Sequence, residues 1–149
     1  MSTNGVEQVH TLEILKDEVI AAPIDIVFET ILEQMGPYNE APGTGVMPMT
    51  LEAWPGGRWF RDFGDNAGHL WGHVKAIKPP TLLEICGPLF MSTPAISNVQ
   101  YRLTEEGAMT RVKFVHRAMG SMAHDGRVEQ GWSHLLGRIQ AAAKQRSGR

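Results

Sequence analysis

The order of the hydrophobic periods along the chain constrains its fold most. Apolar residues recur at helical spacing from about residue 22 to residue 36, and again over the last 25 residues. Between them, from residue 50 to residue 118, Gly and Pro divide the chain into short segments rich in aromatic and β-branched residues. Such a run of antiparallel strands buries one face, and the terminal helix is available to cover it. The sequence therefore predicts an α+β fold.

Two amphipathic helices are predicted at the ends of this run. The first begins near Pro23, which suits a first turn, and ends at Gly36. Its predicted buried stripe is Ile24, Val27, Phe28, Ile31, Leu32 and Met35. The second follows Asp125, which suits an N-cap. Its predicted buried stripe is Val128, Trp132, Leu135, Ile139 and Ala142.

The predicted strands account for most of the remaining chain. One strand covers 10–19, four form a meander within 50–87, and two more, "ISNVQYRL" and "TRVKFVHRA", are joined by a turn in which Gly107 supplies positive φ. The segment 36–50 has three prolines and three glycines and no sustained period, so we predict a long loop, with room for one helical turn.

Composition excludes several classes of protein. The 149 residues suit one domain, predicted to span 1–149 with a core of about 10–143. The net charge of −2 indicates neither nucleic acid nor an anionic membrane as partner. The single cysteine, Cys86, reads as an inert buried thiol and fits a reducing compartment. The chain shows no signal peptide and no apolar run long enough to span a bilayer, so we expect a cytoplasmic protein.

The run "HLWGH" places His69 and His73 at the spacing of a helical zinc motif. On the strand predicted here the two would lie roughly 13 Å apart, since each residue spans about 3.3 Å. Both ligands of one zinc lie about 2 Å from the metal, so this pair cannot chelate it. Strand alternation predicts a covered face of Leu70, Gly72, Val74 and Ala76. It predicts an outer face of His69, Trp71, His73 and Lys75.

Several motifs, in order, resemble those of a known superfamily. They are "AP-x-x-x-VF-x-x-(I/L)" at Ala22–Ile31, "PGGRW" at Pro55–Trp59, "G-x-V-x-x-I-x-PP-x-L" at Gly72–Leu82, "TRVKFVH" at Thr110–His116 and "GW-x-x-LL-x-x-I" at Gly131–Ile139. The pattern resembles the START-like (SRPBCC, helix-grip) superfamily, and within it the branch of activator of heat-shock-protein-90 ATPase homologues. The resemblance covers about Leu12 to about Ala143.

The resemblance implies a curved antiparallel sheet of about seven strands wrapped around the long C-terminal helix, with an apolar cavity between them. The leading interpretation is that this cavity binds a small hydrophobic or amphipathic ligand, with no cofactor or metal. The predicted wall residues are Trp59, Phe63, Val74, Tyr101, Phe114, His116, Trp132 and Leu135. Met47, Met49, Met119 and Met122 are predicted at its mouth, because methionine adapts to varied apolar partners.

The sequence is also consistent with two other functions. An enzyme of the cyclase or hydrolase kind would use His116, on an inward face, as a base and Arg61 to orient its substrate. A co-chaperone-like interaction module would use the stripe of His69, Trp71 and His73. A protein partner or a homodimer also stays open. No phosphate loop, Cys-x-x-Cys pair or nucleophile elbow occurs in the sequence.

Overall fold

A computed structural model describes residues 8–121 and 126–148. Within these ranges the chain forms nine strands and two helices. They are β1 His10–Ile20, α1 Ile24–Met35, β2 Glu40–Ala41, β3 Gly45–Val46, β4 Thr50–Leu51, β5 Arg58–Gly64, β6 Ala67–Lys78, β7 Leu82–Gly87, β8 Ala95–Glu106, β9 Met109–Gly120 and α2 Arg127–Ser147. The predicted α+β class is confirmed.

Seven strands form one antiparallel sheet in the order β1-β9-β8-β7-β6-β5-β4. The four strands predicted within 50–87 are β4 to β7, and the two after them are β8 and β9. Gly107 has φ 63° in the turn between β8 and β9, as its position predicts. β1 pairs with β9 along its whole length, so the first strand of the chain lies beside the last. The seven strands predicted from the sequence are therefore confirmed.

Both helices bury the predicted stripes, with small differences. In α1, Val27, Ile31 and Met35 are fully buried, and Gly36 follows the last helical residue. In α2 the buried set is Trp132, Leu135, Leu136, Ile139 and Ala143. Ala142, predicted in the stripe, is only half-buried beside it. The predicted N-cap, Asp125, lies outside the described residues.

A β-bulge in β6 overturns part of the predicted face assignment. Trp59 pairs with Gly72 while Phe60 pairs with Leu70, so Trp71 is an extra residue between two pairs. The alternation shifts at that point, and Trp71 is 9% exposed while Leu70 is 48% exposed. The predictions that Trp71 faces outward and Leu70 inward are therefore wrong. Beyond the bulge, Val74 is buried as predicted.

The segment 36–50, predicted as a loop, contains a two-stranded hairpin of its own, formed by β2 and β3. Buried Asn39 holds its base. The Asn39 amide N–H donates to Gly36 O (3.1 Å), its carbonyl accepts from Met47 N (2.7 Å), and its side chain donates to Gln34 O (3.1 Å). The hairpin is therefore fastened to the end of α1.

Candidate ligand-binding cavity

A cavity of about 740 Å³ lies between the sheet, α2, the β2–β3 hairpin and the loop that follows β7. Its lining residues are Asn39, Glu40, Ala41, Pro42, Met47, Trp59, Trp71, Phe90, Met91, Ser92, Thr93, Arg127, Val128, Gly131, Trp132 and Leu135. Most of these side chains are apolar, and the polar ones belong to the hairpin, the loop and the first turn of α2. This size and lining are typical of sites for small molecules.

Three aromatic rings form one wall of the cavity. Trp59 and Trp71 meet edge to face with ring centroids 5.1 Å apart, and Trp71 meets Phe90 in the same way at 5.6 Å. The indole N–H of Trp59 donates to Met35 O (2.7 Å), so the end of α1 fixes the innermost ring. Edge-to-face pairs at these separations are favourable. The wall therefore has a defined shape before any ligand enters.

An ion-paired cluster joins the hairpin to α2 at the edge of the cavity. The Glu40 carboxylate lies 3.1 Å from Arg138 Nη1 and 3.2 Å from His134 Nε2. Arg138 Nε also donates to Gln34 Oε1 (3.1 Å). Arg138 thus balances the negative charge of Glu40. This edge of the cavity therefore offers hydrogen-bonding groups beside a carboxylate whose charge is already paired.

His116 lies in the core behind Trp132. The Trp132 indole N–H donates to His116 Nδ1 (2.9 Å), so Nδ1 carries no proton and the proton of the neutral ring is on Nε2. Nε2 lies 3.1 Å from Ser97 Oγ and donates to it. Burial lowers the pKa of His116 to about 4. Both ring nitrogens of this neutral histidine are engaged within the protein.

Seven of the eight predicted wall residues lie either in the cavity lining or in the core. Trp59, Trp132 and Leu135 line the cavity. Val74, Tyr101, Phe114 and His116 are buried in the core but are not lining residues. Tyr101 packs edge to face on Phe114 at 5.0 Å, and burial raises the pKa of its phenol well above the usual range.

Phe63, the remaining predicted wall residue, is 60% exposed and does not line the cavity. A second register shift, between Asp62 and Gly64, displaces it near the end of the β5–β6 hairpin. The Arg61 guanidinium lies over its ring, 4.9 Å from the centroid. Arg61 is not a lining residue of the cavity, and three strands separate its strand from that of His116. The structure does not bring these two predicted residues together in one site.

The predicted mouth methionines also separate. Met47 lines the cavity, whereas Met49 is part of the core and Met119 is half exposed. Met122 lies outside the described residues.

Sequence reasoning missed the loop 88–94, which contributes Phe90 and Met91 to the wall, and it missed Trp71. The run "LFM" between two prolines was the available signal, because three adjacent apolar residues in a loop need an apolar surface to pack against.

Two findings concern metals and membranes. Among residues 8–121 and 126–148, no three His, Cys, Asp or Glu side chains are placed to hold a metal ion together. Neither helix in the described part of the chain has the length and apolar character that crossing a bilayer requires.

A seven-stranded sheet that packs on a long C-terminal helix and leaves a cavity beside it defines a START-like protein of the helix-grip fold. Residues 21–144 match the model of a family described as Activator of Hsp90 ATPase homolog 1-like protein. The chain belongs to that family. No curated protein matches the sequence significantly.

Solved structures share the fold at low sequence identity. An uncharacterised protein from Rhizobium leguminosarum is 17% identical, with a TM-score of 0.71 over 93% of this chain and 97% of its own. A protein from Chromobacterium violaceum is 16% identical, with a TM-score of 0.73 over 89% and 96%. The di-domain ARO/CYC StfQ from the steffimycin biosynthetic pathway is 12% identical, with a TM-score of 0.66 over 93% of this chain and 52% of StfQ. At these identities the likeness establishes the fold alone.

Proposed function

We propose that this protein binds a small apolar or amphipathic molecule in the cavity between its sheet and α2. The observation that carries the proposal is a cavity of about 740 Å³ lined by four aromatic side chains, Trp59, Trp71, Phe90 and Trp132. Aromatic faces and edges bind planar apolar molecules well. Asn39 and Thr93, also in the lining, would hydrogen-bond a polar end of such a ligand. The structural likeness to StfQ, an ARO/CYC from a biosynthetic pathway, is compatible with a small-molecule site in this fold.

Two features favour binding over the other functions that the sequence left open. A general base needs a free nitrogen within reach of its substrate. Both nitrogens of His116 are engaged by Trp132 and Ser97, behind the wall. The stripe predicted to contact a protein partner has no exposed aromatic side chain. Trp71 is buried, and of the three residues of that stripe only His69 and His73 are exposed.

Gly131 of α2 allows a direct test. It lines the cavity, and a Cβ built there meets no atom within 4 Å, so a larger side chain enters open space. Gly137, on the exposed side of the same helix, is equally unobstructed and serves as the matched control. We expect purified wild-type protein to bind 1-hydroxypyrene saturably, as measured by fluorescence titration. Gly131→Phe should weaken that binding at least tenfold, and Gly137→Phe should leave it within twofold.

The competing outcomes are distinct. Absence of saturable binding by the wild-type protein, together with native mass spectra that show no co-purified small molecule, would contradict the proposal. Equal weakening by both Phe variants would also contradict it, because the probe would then not occupy the cavity.

A further inference from the structure

The loop 88–94 is fastened at both ends and carries cavity residues at its centre. At its start, Leu89 N–H donates to Trp71 O (2.7 Å). At its end, Pro94 O accepts from Ser121 N (2.8 Å), and the Thr93 hydroxyl donates to Ser121 O. Phe90, Met91, Ser92 and Thr93 line the cavity. The loop therefore crosses one side of the cavity as a strap.

Leu89 has an unusual backbone for a leucine. Its φ is 56°, in the left-handed region that bulky residues rarely adopt, yet the residue is 1% exposed. The buried side chain and the hydrogen bond to Trp71 hold this conformation. Strained backbone of this kind clusters at ligand clamps and active sites. Here it immediately precedes Phe90, the residue whose ring meets Trp71.

Exposure increases along the three aromatic rings of the wall. Trp59 is 1% exposed, Trp71 9% and Phe90 37%. Trp59 is tied by its hydrogen bond to Met35 O, and Trp71 lies between the other two rings. Phe90 therefore forms the outer end of the wall, where the cavity meets solvent.

We infer that Phe90 is the specificity-determining residue of the cavity: its ring closes the outer end of the aromatic wall and sets the size of the planar ligand that fits. The inference rests on the proposed function. Removing the ring should lengthen the cavity and take one contact away from a small ligand. A small planar molecule would then bind less well, and a longer one would gain room.

The test compares two probes of one chemistry and two sizes, 1-naphthol and 1-hydroxypyrene. Their dissociation constants are measured by fluorescence for the wild type, Phe90→Ala, Phe90→Trp and Phe63→Ala. Phe63 is the matched control, because it is an exposed phenylalanine outside the cavity. Phe90→Ala should shift the ratio of the two constants at least fivefold in favour of 1-hydroxypyrene. Phe90→Trp should shift it the opposite way, and Phe63→Ala should leave both constants within twofold.

Each alternative result has one meaning. If the wild type binds both probes and Phe90→Ala, still folded by circular dichroism, keeps their ratio within twofold, the inference about Phe90 is wrong while the cavity site stands. An equal shift in Phe63→Ala would also overturn it. If the wild type binds neither probe, the proposed function fails and the inference fails with it.

Discussion

Burial and hydrogen bonding act together on the ring of His116. Trp132 and Ser97 satisfy the neutral ring with the proton on Nε2, and a second proton on Nδ1 would remove the acceptor that Trp132 needs. Desolvation works in the same direction and lowers the pKa of His116 to about 4. The histidine is therefore a neutral link between the helix and the sheet.

This pKa predicts how stability depends on pH. Between pH 6.5 and pH 4 the unfolded chain binds a proton at His116 and the folded protein does not, so acid favours unfolding. The contribution of neutral His116 is fully present above pH 6.5 and is lost as the pH falls through about 4. We expect the wild type to lose about 2 to 3 kcal/mol more of its free energy of unfolding between pH 7 and pH 4 than His116→Asn. Urea denaturation at each pH measures it.

Asparagine is the informative replacement because it keeps an acceptor for Trp132 and does not titrate. His69→Asn, at an exposed position, is the control and should follow the wild type. Equal losses in the wild type and His116→Asn would contradict the assignment of a buried neutral histidine.

At the scale of single elements, alternation predicts a strand's buried face only where its pairing is regular. In β9 the predicted inward residues Val112, Phe114 and His116 are all buried, and no register shift interrupts its pairing with β8. In β6 the bulge at Trp71 shifts the pattern. Gly72 was the local signal, because an isolated glycine within a strand often marks a bulge. It does not say which neighbouring residue is the extra one, so the face of Trp71 could not be predicted from the local sequence.

Gly72, next to the bulge, shows how close those contacts are. A Cβ added there would lie 2.6 Å from the Cys86 carbonyl oxygen, so alanine must push two strands apart. Gly137 is exposed on α2, with no atom within 4 Å of an added Cβ. We expect Gly72→Ala to lower the free energy of unfolding by about 1 to 3 kcal/mol through overpacking. Gly137→Ala should raise it by about 0.5 to 1 kcal/mol, because alanine is the better helix former.

Urea denaturation of both variants measures this pair of opposite effects. A Gly72→Ala variant as stable as the wild type would show that β6 and β7 can separate without cost. That result would contradict the close backbone approach at the bulge.

At the scale of the whole molecule, the order of periods was sufficient to predict the α+β class. One strand, a helical stripe, six further strands and a second helical stripe leave a sheet face for α2 to cover. The resemblance implied that the sheet wraps around α2, and the structure adds the strand order that places β1 beside β9. The cavity was harder to predict because it depends on distances between elements. The hairpin at 40–46 and the loop at 88–94 line it. Asn39 fixes the hairpin by hydrogen bonds to the end of α1, and Leu89 fixes the loop by a hydrogen bond to Trp71 in β6. A sequence pattern indicates which residues are apolar and not how far apart two layers stand.

A ligand in this cavity should stabilise the whole fold, because sheet, helix α2, hairpin and loop all contribute to a site that the unfolded chain lacks. With 1-hydroxypyrene at 100 times its dissociation constant, linkage predicts a gain of about 2.7 kcal/mol in the free energy of unfolding. For a domain of this size that gain corresponds to a rise in Tm of roughly 5 to 10 °C.

Scanning calorimetry of the wild type, Gly131→Phe and Gly137→Phe at one fixed probe concentration measures this rise in Tm. The wild type and Gly137→Phe should show nearly the full rise. Gly131→Phe should show half of it or less, because binding at least tenfold weaker leaves at most about 1.4 kcal/mol of stabilisation at the same probe concentration. Equal rises in all three would place the probe elsewhere on the protein, since exposed apolar side chains such as Phe63 and Ile96 are unaffected by a substitution in the cavity.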